Sequence, residues 1–211
     1  MNTLTLVVSA VATVFAVGDW ISRATDNRRL EYVCKPATLA SLVIAALVVD
    51  PNSGPMRAWV VGALVLSLAG DVFLMLPTDR FVEGLGAFLF AHVAYVAGFV
   101  ASGELRIPRM LLGALAVVVI MAVPCVRIVQ AAVASDKALR VPISLYMAVI
   151  STMIVCAVGS GNLVAIIGAA SFALSDSLIG WTRFVAPLRH SSVTIMVTYH
   201  IGQALLLLSI I

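Results

Sequence analysis

Eight apolar runs, each long enough to cross a lipid bilayer, follow one another from end to end of this chain. A crossing helix needs about 20 mostly apolar residues. On that ruler the spans fall near 4–22, 33–50, 58–76, 81–101, 108–125, 139–158, 161–180 and 191–211. The runs are too long and continuous for barrel strands, and a backbone in hydrocarbon must satisfy its own hydrogen bonds, so helices are the secondary structure expected. The fold class is therefore all-α, a polytopic membrane bundle of about eight helices. No hydrophilic stretch is long enough for a second domain, so residues 1–211 read as a single transmembrane domain. Composition agrees: the chain is 62% hydrophobic and 11% charged, where a soluble domain carries roughly a quarter charged residues. Pro36, Pro108 and Pro142 are expected at span starts, where a missing N–H costs little. The first run has no positive leader and ends in Gly18-Asp19-Trp20 rather than a small-residue cleavage site, so it reads as a retained span.

The net charge of +3 does not point to nucleic acid. The basic residues sit in short loops between apolar runs, with no aromatic-interleaved patch, where they set orientation and meet anionic lipid. Arg23, Arg28, Arg29, Lys35, Arg80, Arg127, Lys137, Arg140, Arg183 and Arg189 lie at one end of the spans, and only Arg57, Arg106 and Arg109 at the other. The positive-inside rule then puts both termini on the non-cytoplasmic side, in the cytoplasmic membrane if the cell is bacterial. Cys34, Cys125 and Cys156 show no metal-ligand spacing and read as free thiols packed as small apolar groups.

Ionisable groups are costly in hydrocarbon, so those inside spans are the functional candidates. Asp71 interrupts span three and Asp176 span seven, each without a basic residue nearby in its own span. His92 and His200 lie near mid-depth of spans four and eight. Helical periodicity groups Phe88, His92, Tyr95 and Phe99 on one face of span four, Tyr199, His200 and Gln203 on one face of span eight, and Ser67 with Asp71 on span three. With the orientation above, these groups gather in the cytoplasmic half or near the midplane and suggest one shared pocket. Other readings stand beside this. A lone intramembrane histidine is as readily an interhelical hydrogen-bond contact. Lys35 and Arg80 are expected to snorkel to the interface, and Asp19, Glu31, Asp50, Asp79 and Asp136 to be solvated at span ends or in loops.

The two halves of the chain are weakly alike. Lys35-Pro36-Ala37-Thr38-Leu39 matches Val141-Pro142-Ile143-Ser144-Leu145, Gly70-Asp71 matches Ser175-Asp176, Arg80-Phe81 matches Arg183-Phe184, and His92 matches His200. Four spans per half would make a parallel 4+4 internal repeat, a known way to build a midplane site between halves. It would set Asp71 and Asp176 across a pseudo-twofold axis.

At these residues the chain resembles the YhhN family, which includes the lysoplasmalogenases. The resemblance rests on Lys35-Pro36, on Gly70-Asp71-Val72-Phe73-Leu74-Met75, and on the order Phe81, Gly84, Phe88, His92, Tyr95. Toward the C-terminus it rests on Pro142 with Tyr146, Ser175-Asp176-Ser177, and Thr198-Tyr199-His200 with Gln203. It covers essentially the whole chain and implies an eight-span enzyme that cleaves the vinyl-ether bond of a lysophospholipid, releasing a fatty aldehyde and a glycerophospho-headgroup. Vinyl-ether hydrolysis needs a proton donor to carbon and a base or anion that stabilises an oxocarbenium-like cation and activates water. Two carboxylates sharing a low-dielectric pocket can hold one proton between them, as glycosidases do. Asp71 and Asp176 are accordingly the expected acid/base pair. His92, Tyr95, Tyr146, Tyr199, His200 and Gln203 would orient substrate or water, and Lys35 would meet the substrate phosphate. The chemistry needs no cofactor and no metal. The expected partners are a lysophospholipid-type substrate and membrane lipid. Competing readings are a proton-coupled transporter using the same Asp and His residues, a metal hydrolase built on Asp71, Asp176, His92 and His200, and an intramembrane aspartyl protease.

Overall fold

The computed structural model describes residues 3–51 and 54–211, and within them the secondary structure is helical, with no strand. The helices are α1 (Thr3–Ala24), α2 (Arg28–Val48), α3 (Gly54–Met75), α4 (Phe81–Ala101), α5 (Ile107–Ser135), α6 (Arg140–Ser160), α7 (Leu163–Phe184) and α8 (Ser191–Leu208). All eight are long and apolar enough to cross a membrane, and the chain is an integral membrane protein. Consecutive helices pack as four hairpins, α1 on α2, α3 on α4, α5 on α6 and α7 on α8. Further contacts of α2 with α3, α4 with α6, α6 with α7 and α8 with α1 close these into a ring, with α5 outside it against α6 and α7.

Local chemistry sets the helix ends. Asn27 caps α2 by accepting from the Leu30 amide, and Asn162 caps α7 by accepting from the Val164 and Ala165 amides; such caps satisfy donors that the first helical turn leaves free. Gly161 ends α6 at φ 74°, a left-handed geometry that glycine adopts without strain.

Three expectations about the spans are corrected. Span two does not open on Lys35-Pro36: α2 starts at Arg28, so Pro36 lies inside the helix. Its missing N–H deprives only the carbonyl of Tyr32, a residue exposed at the helix surface. Span five does not end at residue 125: α5 runs through Pro124 to Ser135, placing Arg127 in the helix rather than in a loop. Asp19 and Glu31 are not solvated. Asp19 is 0% exposed near the end of α1, and Glu31 is buried in the first turn of α2, where it pairs with Arg23 at 2.8 Å.

Two close helix approaches position the polar interior. A Cβ on Gly70 would stand 2.6 Å from the Phe88 ring, so this glycine lets Phe88 of α4 lie against α3 beside Asp71. A Cβ on Gly202 would meet the Phe172 amide nitrogen at 2.8 Å, so α8 and α7 approach to near backbone contact there. Phe172, fully buried, ends at the centre of an aromatic cluster with Phe88, His92, Tyr95 and Tyr199.

Candidate active site

The polar interior consists of three groups, two of them in the half of the bundle nearest the α1–α2, α3–α4, α5–α6 and α7–α8 connections. The first centres on Asp71, about 6 Å along α3 from its end at Met75. Its Oδ1 lies 3.3 Å from Lys35 Nζ, and its Oδ2 accepts from the Tyr199 hydroxyl at 2.8 Å. The Lys35 side chain is only 6% exposed, so it does not snorkel to the interface; it turns inward to the carboxylate. An ammonium buried this deeply requires a paired anion.

The second group centres on Asp176. Its Oδ2 accepts from the Tyr146 hydroxyl at 2.8 Å and lies 3.2 Å from His92 Nε2. His92 Nδ1 sits 2.6 Å from the Phe88 carbonyl oxygen. A carbonyl can only accept, so Nδ1 carries the hydrogen and donates. The Nε2 edge of the ring is the one turned toward Asp176. The Nε2–Asp176 approach is close enough for an ion pair but falls outside hydrogen-bond geometry as it stands.

The third group lies deeper. Gln203 donates from Nε2 to Ser67 Oγ at 2.9 Å and accepts at Oε1 from the Tyr95 hydroxyl, tying α8 to α3 and α4. Its members are uncharged, so it ties the three helices together without adding a charge to the interior.

All the residues expected from the sequence are buried, and both histidine faces point inward. Not all converge. His200 turns toward α1, where its Nδ1 accepts from Trp20 Nε1 at 3.1 Å and its ring stacks near the indole. Asp71 and Asp176 have separate partners and share neither a hydrogen bond nor an ion pair. The Tyr199 hydroxyl is committed to Asp71, and its ring packs against Phe88 and Phe172. Among the described residues no three His, Cys, Asp or Glu side chains cluster as metal ligands.

Cavities distinguish the two carboxylates. Asp176 and Tyr146 line a narrow apolar cavity walled by Leu74, Phe81, Phe88 and Ile179, which continues against Ile128, Ile143 and Met147. Lys35, by contrast, lines a polar cavity toward the helix ends, and Leu74, Phe81 and Ile179 are walls common to both. The expectations above overlooked several participants: Asp19, Arg23, Glu31 and Arg183 at the polar end, and Trp20 and Phe172 in the interior. Asp19 and Glu31 were set aside because they lie near span ends. Phe172, an apolar residue within an apolar run, carries no sequence signal at all.

This fold and interior define a polytopic membrane protein with two carboxylates enclosed among polar side chains. A profile of the YhhN family matches residues 30–210, and the chain belongs to that family. It is 35% identical over 193 residues to a Mycobacterium tuberculosis protein named lysoplasmalogenase, an alignment covering 88% of this chain and 72% of that one. It is 30% identical over 177 residues to the Sus scrofa lysoplasmalogenase TMEM86B, covering 84% and 73%, and 32% identical over 162 residues to the Homo sapiens protein of that name, covering 77% and 67%. These are names of enzymes and lend the transporter reading no support. No solved structure matches the chain.

Proposed function

We propose that this protein hydrolyses the vinyl-ether bond of a lysophospholipid, as the names of its relatives suggest, with Asp176 as the proton donor. The observation that carries the reading is the position of Asp176: it lines an apolar cavity, and His92 and Tyr146 converge on one of its oxygens. The walls are chemically suited to an alkenyl chain, but the cavity is narrow, about 30 Å³, so the chain enters only as Leu74, Phe81 and Phe88 move apart.

The reaction proceeds in three steps. Asp176 delivers its proton to the alkenyl carbon remote from oxygen, giving a cation shared between the adjacent carbon and the ether oxygen. Water adds to that carbon as a base removes its proton. The hemiacetal then collapses, its hydroxyl proton leaving as the glyceryl oxygen takes one up, and aldehyde and glycerophospho-alcohol separate. Asp71 is assigned as the base and counter-charge, because it is the carboxylate with a cation paired to it, Lys35 at 3.3 Å. Tyr199 holds the Asp71 carboxylate from α8, and His92 is placed to reload Asp176 between turnovers. Tyr95 and Gln203 brace the tyrosine and histidine helices, and His200 braces α8 against α1. Hydrolysis by this route requires only water.

The contact pattern supports the 4+4 repeat in this reading. Asp71 on α3 is held from α2 by Lys35 and from α8 by Tyr199; Asp176 on α7 is held from α6 by Tyr146 and from α4 by His92. Exchanging α2, α3 and α8 for α6, α7 and α4 carries one arrangement onto the other. With ten of the thirteen basic residues at the site's end of the bundle, that end faces the cytoplasm and both termini lie outside, in the cytoplasmic membrane if the cell is bacterial. Residues 1–211 act as one transmembrane domain.

The test is hydrolysis by purified protein in neutral detergent, where no gradient exists. A 1-alkenyl lysophospholipid should yield aldehyde and water-soluble headgroup in equal amounts. In deuterium oxide the aldehyde should carry one deuterium on the carbon next to the carbonyl. Absence of aldehyde from every vinyl-ether lipid tried would remove the activity.

A further inference from the structure

The polar cavity beside the acid–base centre has no role in the reaction above. It occupies about 310 Å³ and is lined by Arg23, Glu31, Lys35, Thr182, Arg183 and Ser192, with Leu74, Phe81 and Ile179 forming the wall toward Asp176. That volume lies at the lower end of the range for small-molecule sites.

Its lining is rich in hydrogen-bond donors. Each of the three cations has one carboxylate: Arg23 has Glu31 at 2.8 Å, Lys35 has Asp71 at 3.3 Å and Arg183 has Asp79 at 2.7 Å. A guanidinium offers five N–H groups and an ammonium three, so one acceptor apiece leaves most of them unused. Arg23 Nε is buried and has no acceptor among the described residues. The first turn of α8 adds more. His190 precedes it without a side-chain cap, and Ser192 of that turn stands in the cavity wall. The Ser191 amide donates to the Leu188 carbonyl at 3.3 Å, which leaves the Ser192 and Val193 amides ahead of the first intrahelical bond at Thr194. These amides, with the positive dipole end, favour phosphate.

We propose that this cavity binds the phosphate of the lipid headgroup, held by Arg23, Lys35, Arg183 and the first turn of α8. The assignment rests on the proposed activity for its occupant, and the position agrees with the chemistry. In a lysophospholipid the phosphate and the scissile ether oxygen are separated only by the three glycerol carbons. Here the donor-rich cavity and the Asp176 cavity are separated only by their common walls, so one molecule can reach both. Phe81, which lies in those walls, has the Arg183 guanidinium 4.1 Å above its ring and the Phe184 ring 5.7 Å away. Arg183 therefore ties the phosphate site to the wall through which the lipid passes.

Binding of saturated ether lipids, which cannot be hydrolysed by this route, tests the site independently of the reaction. The probes are 1-alkyl-glycerophosphoethanolamine, 1-alkylglycerol and inorganic phosphate, titrated onto the full chain in neutral detergent by calorimetry. The wild type should bind the phospholipid at least tenfold more tightly than the alkylglycerol. Arg183→Gln, at an exposed position that folding tolerates, and Arg23→Gln should each weaken phospholipid binding 5- to 30-fold, with alkylglycerol affinity moving less than twofold. Equal affinity for the two lipids, or an unchanged preference in both variants, overturns the proposal. Phosphate that binds tightly while the two lipids bind alike would make this a free-anion site and overturn the headgroup assignment. Lipid discrimination without aldehyde from the alkenyl lipid would keep the site and remove the activity.

Discussion

Replacing Lys35 by Met should cost more stability than any other single change at the site, and restoring charge balance should recover it. Lys35 Nζ and Asp71 Oδ1 are 3.3 Å apart, with side chains 6% and 1% exposed. At an effective dielectric of 20 their attraction is about 5 kcal/mol, and breaking a buried pair from one side typically costs about 3–5 kcal/mol. Lys35→Met leaves Asp71 charged among apolar helices with only the Tyr199 hydroxyl, so the upper part of that range applies. Asp71→Asn should cost less, about 1–3 kcal/mol, because the stranded ammonium already borders the polar cavity. The double variant holds no unpaired charge and should return to within about 1 kcal/mol of wild type, a coupling of at least about 4 kcal/mol. Reversible unfolding in mixed micelles, followed by tryptophan fluorescence, measures all four corners of the cycle. The double variant should fold yet release no aldehyde, separating the structural role of the pair from its chemical one. Additive losses, within about 0.5 kcal/mol, would refute the reasoning.

Tyr146→Phe removes one of the two groups on Asp176 Oδ2 while His92 remains; stability should fall by about 1 kcal/mol and turnover by about 10- to 100-fold, read in the same preparation. Gly202→Ala places a methyl group 2.8 Å from the Phe172 backbone nitrogen, which cannot move aside as a flexible side chain could; unfolding should show a loss of about 1–3 kcal/mol. The Asp79–Arg183 contact, in the loop and at the end of α7, should persist into acid. Arg183 holds the Asp79 carboxyl below its ordinary value of 3.8, so its contribution is complete above that value and is lost as pH falls through the depressed one. Proteolytic nicking of the 76–80 loop should therefore stay constant from pH 8 to pH 5.

What the sequence made legible follows from periodicity. A 3.6-residue repeat specifies which residues share a face, so the inward sets Phe88, His92, Tyr95 and Phe99, and Tyr199, His200 and Gln203, could be read directly, and apolar run length showed eight spans. Partner choice could not be read. Tyr199 and Asp71 are 128 residues apart and Tyr95 and Gln203 are 108 apart, and only the packing of hairpins decides that Tyr199 serves Asp71 while Tyr146 serves Asp176. Residues near span ends were ambiguous for a related reason: Asp19 and Glu31 could face water or the bundle with equal local logic, and the closure of α1 onto α2 and α8 decides for the bundle. Proline was over-weighted as a boundary at Pro36, which sits inside α2, whereas Pro108 and Pro142 do fall in the first turns of α5 and α6.

The most direct test of the account is the rate of aldehyde release from a 1-alkenyl lysophospholipid by wild type, Asp71→Asn and Asp176→Asn, each shown to be folded. Each variant should be slower by at least about 100-fold, the lower end of what a positioned acid or base contributes, with Asp176→Asn the more severe. Wild-type turnover in Asp176→Asn would contradict the account.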